Sequence, residues 1–362
     1  MANSVTTAPG GSSLATGTDN VVQVEDLRVQ FRTQVGVVNA LNGVSFSIPR
    51  GKVLGVVGES GCGKSITGLG IMQLIPHPGK VLSGRVLFRE KATDAPKNLF
   101  DYERDSSEMH RIRGKNISMI FQEPMTSLNP CYTVGNQISE AILLHQTPNK
   151  DEAREQSISI LRRVGMPNPK RIYDTFPHQL SGGMRQRAMI AMALSCTPVL
   201  LIADEPTTAL DVTTEAQILD LMRELQAEIG MSIMFVTHNL GVVAQTCDEV
   251  AVMYLGRIVE RATVDEIFYD PKHPYTRLLL RSIPRLGLAR KQPLEVIQGT
   301  LPDPYSTLPG CPFHPRCPSV IPGTCDRLLP LEAPIESAPD HAVRCHLYPG
   351  STVETADAPN GV

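Results

Sequence analysis

Six short runs of residues, in a fixed order, carry the chemistry available to this 362-residue chain. GESGCGKS at 58–65 is a phosphate-binding loop. Its glycines let the backbone curl so that N–H groups turn inward, and those donors hold phosphates together with the positive end of the following helix. Lys64 is placed to contact β- and γ-phosphates, and Ser65 to ligate magnesium through its hydroxyl. VLLIADEP at 199–206 is an apolar run ending on two carboxylates. Asp204 there can hold magnesium, usually through water, and Glu205 is placed to polarise an attacking water as general base. Gln122 in IFQEP can reach the metal and the water. His238 in FVTHN can contact the γ-phosphate and sense its loss. LSGGM at 180–184 opens a helix, where Ser181, Gly182 and Gly183 make a second phosphate clamp. TALD at 208–211 completes the set.

These residues need a frame of alternating strands and helices. VLGVV at 53–57 is a continuous apolar run, as a buried parallel strand requires, and the glycine loop and a helix over 64–75 follow it directly. Residues 21–31 alternate apolar and polar and predict an early edge strand, with a second strand over 44–48. Residues 88–113 are polar and poorly patterned, which predicts a surface excursion. Strand character returns at 117–121. Helical periodicity runs from 133 to 180, broken at Pro148, Pro167 and Pro169, and a further helix covers 185–194. Strands over 199–203, 233–236 and 250–254, with a helix over 214–229, complete an α/β alternation. After Ile283 prolines become dense and apolar periodicity fades.

Net charge is −3, so overall charge carries no nucleic-acid signal. No stretch approaches the ~18 apolar residues needed to cross a bilayer. The first 20 residues lack the basic head and apolar core of a secretory signal and read as a disordered leader.

The six runs together resemble the ATP-binding subunit of an ABC transporter. The resemblance implies an α/β fold: an ABC-type P-loop ATPase with a RecA-like core, an antiparallel β subdomain, a helical subdomain at about 133–183 and a small Cys-rich C-terminal appendage. It implies ATP and Mg2+ as cofactors. It implies that Gly58, Glu59, Ser60, Gly61, Cys62, Gly63, Lys64, Ser65 and Ile66 bind nucleotide. Ser181, Gly182 and Gly183 would act on the ATP of an opposite subunit, and Asp211 would link the two sites across the dimer. Phe31 matches, by position only, the family's adenine-stacking aromatic; a strand residue in the core is the alternative. Met184 departs from the commoner glutamine, as similar peptide-importer subunits often do.

A narrower resemblance covers nearly the whole chain. RGKNISMIFQEPMTSLNP, LSGGMRQRAMIAMAL, VTHNLGVVA, IFYDPKHPYTRLLLRSIP and GCPFHPRCP look like oligopeptide/dipeptide importer subunits. That group also includes nickel and glutathione importers. The division expected is a leader at 1–20, an ATPase domain at 21–262, a transporter tail at 263–350 and a disordered end at 351–362. The implied partners are two membrane permeases, a solute-binding protein and a second ATPase, with a heterodimer favoured over a homodimer. Glu123, Pro124, Met125 and the helical subdomain would line the groove for permease helices. The implied location is the cytoplasmic face of the cell membrane. A soluble non-transport ATPase is the competing class, disfavoured by the lack of a second ATPase core and of a basic stripe.

Four of the eight cysteines, Cys311, Cys317, Cys325 and Cys345, stand at the spacing C-x5-C-x7-C-x19-C. Disulfides are unfavourable in the cytosol, so this crowding points to metal or redox chemistry. Zinc sites usually carry closely paired cysteines, which are missing here, and four wider thiolates suit an iron–sulfur cluster better. Zinc and unmetallated thiols are the alternatives. In similar peptide-importer subunits the matching cysteines carry a 4Fe-4S cluster.

Overall fold

The computed structural model describes residues 19–122, 127–208, 210–282, 297–306, 308–351 and 353–355. The expected leader up to residue 18, the groove residues Glu123, Pro124 and Met125, the composition change at Ile283 and most of the expected disordered end lie outside the described residues. In chain order the elements are β1 (Asn20–Arg32), β2 (Val37–Pro49), β3 (Val53–Val57), α1 (Lys64–Ile71), β4 (Gly79–Phe88), β5 (Lys97–Asn98), α2 (Ser107–Ile112) and β6 (Ile117–Ile120). Next come α3 (Val134–His145), α4 (Lys150–Arg163), α5 (Pro169–Tyr173), α6 (Gly182–Leu194), β7 (Leu200–Asp204), α7 (Val212–Ile229), β8 (Ser232–Val236) and α8 (Leu240–Thr246). The chain continues through β9 (Glu249–Tyr254), β10 (Arg257–Thr263), α9 (Val264–Tyr269) and α10 (Pro274–Arg281), then β11 (Leu328–Pro330), β12 (Ala333–Ile335), β13 (Ala338–Val343) and β14 (Val353–Thr355).

The strands form a four-stranded antiparallel sheet, β2-β1-β4-β5, and a mixed eight-stranded sheet, β12-β13-β10-β9-β3-β8-β7-β6. In the larger sheet β9, β3, β8, β7 and β6 run parallel. All five residues of β3, β7 and β8 are buried, because layers on both faces cover these strands. β1 pairs with β2 on one side and β4 on the other, so it is not the expected edge strand. Its alternating pattern reports one buried face and says nothing about how many neighbours it has. Nor is 88–113 only a surface excursion: it contributes β5, α2 and two fully buried side chains, Leu99 and Met109.

Apolar contacts run continuously from Ile138, Leu161 and Ile172 of the helical segment, through Ala188 and Ile190 of α6, to Leu201 and Phe235 of the sheet. α7 is a well-bounded helix: Asp211 caps its start and Gly230, at φ 71°, ends it in the left-handed conformation. The tail closes over the β9–β10 side, where Tyr254, Tyr275 and Phe313 are fully buried. Their ring centroids lie 4.7 to 5.4 Å apart. Such aromatic contacts add about 1 kcal/mol each beyond the area they bury. Among the described residues no helix is long and apolar enough to cross a membrane.

Candidate active site

The phosphate loop leaves the C-terminal end of β3 and delivers the chain into α1. Gly58 has φ 153°, and a Cβ there would lie 2.2 Å from the Met253 carbonyl oxygen, so only glycine fits. Gly63, at φ 105°, caps α1, and a Cβ there would meet the Ala40 oxygen at 2.7 Å. The Lys64 side chain spans the loop from within: Nζ donates to the carbonyls of Gly58 at 2.9 Å and Glu59 at 3.1 Å. Cys62 is buried beneath the loop, and burial pushes its thiol pKa up.

Ser65 Oγ donates to Asp204 Oδ1 at 3.0 Å. Burial raises the Asp204 pKa, the Ser65 hydroxyl opposes that rise, and neighbouring Glu205 adds to it. Glu205 sits at φ 44°, an uncommon backbone setting for a non-glycine residue, and its N–H donates to the Val236 carbonyl at 2.8 Å. Its carboxylate gathers three partners. Gln122 Nε2 and Thr208 Oγ1 donate to Oε2 at 3.2 and 2.9 Å, and His238 Nδ1 lies 3.1 Å from Oε1. Burial alone would raise the Glu205 pKa. The hydrogen bonds from His238 and Thr208 outweigh that and hold it below the usual carboxylate value. Gln122, Glu205 and His238 therefore converge, as do Lys64, Ser65 and Asp204.

A cleft of about 350 Å³ takes in Lys64, Ser65, Gln122 and Glu205. Ser60, Gly61, Gly63, Lys64, Ser65 and Ile66 form its floor, Gln122 and Glu205 one end, and Val38, Asn39 and Ala40 a side. Tail residues Pro302, Asp303, Pro304, Ser306, Leu308 and Pro312 form much of another side.

Phe31 does not line this cleft. Its ring is half-buried over Gly79 and packs with the core, while Val38, its cross-strand partner, faces the cleft. Ser181, Gly182 and Gly183 lie apart from the cleft at the start of α6, where Ser181 Oγ accepts from the Met184 N–H at 3.3 Å. The start of α7 adjoins them: a Cβ on Gly183 would meet the Thr214 methyl group at 2.8 Å. Asp211 caps that helix, accepting from the Thr214 N–H and hydroxyl at 3.0 and 2.7 Å, which lowers its pKa. Within one chain the Ser181–Gly183 turn and the phosphate loop thus remain separate.

Burial raises the pKa of Cys311, Cys317 and Cys345, and neighbouring tail cysteines add to each. Burial is the larger cause, pushing Cys311 to about 12 and Cys345 to about 11. A backbone N–H reaches each sulfur: those of Phe313, Ser319 and Leu347 donate to Cys311, Cys317 and Cys345. That of Ile321 donates to Cys325 at 3.4 Å. Among the described residues no group of three or more His, Cys, Asp or Glu side chains could hold a metal ion.

Two functional neighbours have no signal in the motifs. Arg316 forms a two-pronged ion pair with Glu59, at 2.8 and 3.1 Å, and Tyr275 Oη accepts from the Glu59 N–H at 2.9 Å. Their partners lie 257 and 216 residues away in sequence. The aromatic–proline context of each residue was visible, its contact with the loop was not.

A glycine loop between a buried strand and a helix, with a Ser–Asp pair joining that helix to the end of a second parallel strand and a restrained glutamate just beyond it, defines a P-loop nucleotide-binding protein. A sequence profile described as "ABC transporter" matches residues 41–208, and one described as "Oligopeptide/dipeptide transporter, C-terminal region" matches 259–325. The chain is 50% identical to the "Dipeptide transport ATP-binding protein DppD" of Bacillus subtilis (strain 168), over 91% of this chain and 95% of that one. It is 52% identical to the "Oligopeptide transport ATP-binding protein OppD" of the same organism, over 78% and 77%. Among solved structures, the ATP-binding cassette MJ0796, a dimer in a post-hydrolysis state bound to ADP and Pi, superposes with a TM-score of 0.59. That match has 26% identity and covers 67% of this chain and 98% of that one. The chain belongs to the ABC transporter ATP-binding proteins, in their oligopeptide/dipeptide group.

Proposed function

We propose that this chain is the ATP-hydrolysing subunit that powers a membrane importer of di- or oligopeptides. The carrying observation is Glu205: a carboxylate kept ionised by its hydrogen bonds, at one end of a phosphate cleft and next in sequence to the Ser65–Asp204 pair. The names of the Bacillus relatives support the cargo.

In this reading the loop N–H groups and Lys64 take the phosphates, Lys64 exchanging its two loop carbonyls for phosphate oxygens. Ser65, Asp204 and Gln122 hold magnesium, which supplies charge neutralisation on the phosphates. Glu205 accepts the proton of the attacking water. His238, beside it, contacts the γ-phosphate. Gly58, Glu59, Ser60, Gly61, Cys62, Gly63 and Ile66 shape the loop around the nucleotide. Phe31 reaches adenine only if its ring leaves Gly79. Ser181, Gly182 and Gly183 lie outside the cleft of their own chain, which supports their use on the ATP of a second ATPase subunit, with Asp211 between the two sites. Two permeases and a solute-binding protein complete the assembly at the cytoplasmic face of the membrane. The working division is an ATPase domain over 21–262, with helical segment 133–183, and a transporter tail over 263–350.

For Cys311, Cys317, Cys325 and Cys345 we propose a 4Fe-4S cluster. Four thiols placed so that Cys317, Cys325 and Cys345 act on Cys311, each meeting a backbone N–H, suit a sulfur-ligated group. They are not gathered as a single-ion site. Such a group, when bound, cross-links the turns of the tail, and ATP hydrolysis itself needs no redox step.

The test is reconstitution. Wild-type chain, with its permeases and second ATPase in proteoliposomes, is expected to couple magnesium-dependent ATP hydrolysis to uptake of labelled peptide, with nickel and glutathione as competing cargoes. Glu205→Gln is expected to bind ATP, hold a closed dimer and lose about 100-fold or more in kcat, the scale of a missing general base. Brisk turnover by that variant would overturn the assignment of the base.

A further inference from the structure

The tail does more than cover the sheet. Arg316 has a side chain only 4% exposed, and it is spent on the phosphate loop. Nη1 and Nη2 donate to the two carboxylate oxygens of Glu59. Nη1 also donates to Tyr254 Oη at 3.3 Å, and Nε to the Gln298 carbonyl at 3.3 Å. The backbone of Glu59 is held separately, through its N–H to Tyr275 Oη. The Glu59 carbonyl in turn accepts from Lys64 Nζ. A line of polar contacts therefore runs from the tail, through Glu59, to the lysine on the cleft floor.

Glu59 is awkward in this position. It puts a carboxylate into a loop whose other groups suit anions, where an unneutralised charge would repel phosphate. A paired guanidinium removes that repulsion, and its planar fork fixes the carboxylate's orientation. The aromatic packing of Tyr254, Tyr275 and Phe313 would seat the tail without any ion pair, so seating alone does not account for Arg316. The same tail walls the cleft, with Pro302, Asp303, Ser306 and Leu308 among its lining residues.

We propose that Arg316 is a positioning residue for nucleotide binding: it neutralises Glu59 and fixes the phosphate loop, making the cysteine-rich tail a working wall of the nucleotide site. The proposal rests on the ATPase reading above.

The experiment uses the full chain. The ATP dissociation constant is measured without magnesium, and KM and kcat with it, for wild type, Arg316→Gln, Arg316→Lys, Glu59→Gln and the Arg316→Gln/Glu59→Gln pair. Arg316→Gln is expected to weaken ATP binding and raise KM by about tenfold, with kcat within about twofold, because the unpaired carboxylate opposes binding before any chemistry. Arg316→Lys should fall between. Adding Glu59→Gln to Arg316→Gln should recover most of the loss, since no naked carboxylate remains. A merely structural role predicts the opposite, a double variant no better than the single. Unchanged affinity in Arg316→Gln, or no recovery in the pair, overturns the proposal. Should Arg316→Gln fail to fold, Arg316→Lys keeps a positive charge and loses the two-pronged fork on Glu59; a rise in its ATP dissociation constant supports the proposal and an unchanged value refutes it. Wild type that binds ATP but never hydrolyses it would sink the ATPase reading instead, and the dissociation constants would still decide the role of Arg316.

Discussion

Ser65 and Asp204, 139 residues apart in the chain, meet through a single 3.0 Å hydrogen bond that links the start of α1 to the end of β7. β3 and β7 flank β8 in the sheet, so the two ends that carry these residues share one edge. The hydroxyl acts on a carboxylate whose pKa burial is raising. It favours the charged form, the form a divalent cation needs.

Ser65→Ala removes that support. Asp204 keeps its burial and loses its hydrogen-bond donor, so its pKa climbs further above the ordinary carboxylate value. Protons then compete with magnesium at a higher pH. The expected result is a half-saturating magnesium concentration raised about tenfold or more, with the acid limb of the pH–rate profile moved to higher pH. Magnesium titrations of ATPase activity at several pH values check this. An acid limb that stays in place would separate Asp204 from the metal.

The parts legible in the sequence were those whose chemistry is local. Gly58 and Gly63 must be glycine because of the backbone they occupy, and that constraint leaves a contiguous motif. The buried parallel strands show as unbroken apolar runs because both their faces are covered. Pairing between distant segments left no such trace. β1 read as an edge because alternation encodes faces, not neighbours, and Leu99 and Met109 vanished into a polar stretch because single buried residues carry no period. Glu59 was legible as part of the loop, yet its partners Arg316 and Tyr275 were not, since a side-chain pair across more than 200 residues obeys no spacing rule. The four tail cysteines were legible as a group, and the structure adds the N–H donors around them.

Those cysteines give a second expected outcome. Anaerobically purified protein should contain about four irons and four acid-labile sulfides per chain, and Cys317→Ser should lose them. Thiols raised by burial must deprotonate to ligate iron, so loading should also release protons and improve with pH. Elemental and sulfide analysis of both proteins decides it. One zinc per chain, or no metal, would remove the cluster and leave the tail as a thiol-rich wall.

His273 sets how the tail responds to acid. Its side chain is buried at the start of α10, and Nδ1 accepts from the Tyr275 N–H at 3.1 Å, so that nitrogen carries no proton in the fold. Burial lowers its pKa to about 4; Glu260, which accepts from the His273 N–H, opposes that shift, and Arg277 adds to it. An unfolded histidine titrates near 6.5, so between pH 6.5 and about 4 the unfolded chain binds the extra proton. Stability is therefore full above that window and falls as pH drops through it, by roughly 3 kcal/mol if the tail unfolds with the rest. Glu260 adds a separate loss at lower pH. Its burial is outweighed by donors that include His341 at 2.7 Å, so its pKa is depressed and its contribution fades only below the usual carboxylate range. His273→Asn keeps a side-chain acceptor at the cap and removes the titration. Denaturant melts at pH 7.5, 6.5, 5.5 and 4.5 should show wild type losing stability steadily and the variant staying nearly level until the Glu260 range. Parallel pH profiles for the two proteins would mean that His273 titrates alike in the folded and unfolded chains, so that its burial carries no pH-dependent stability.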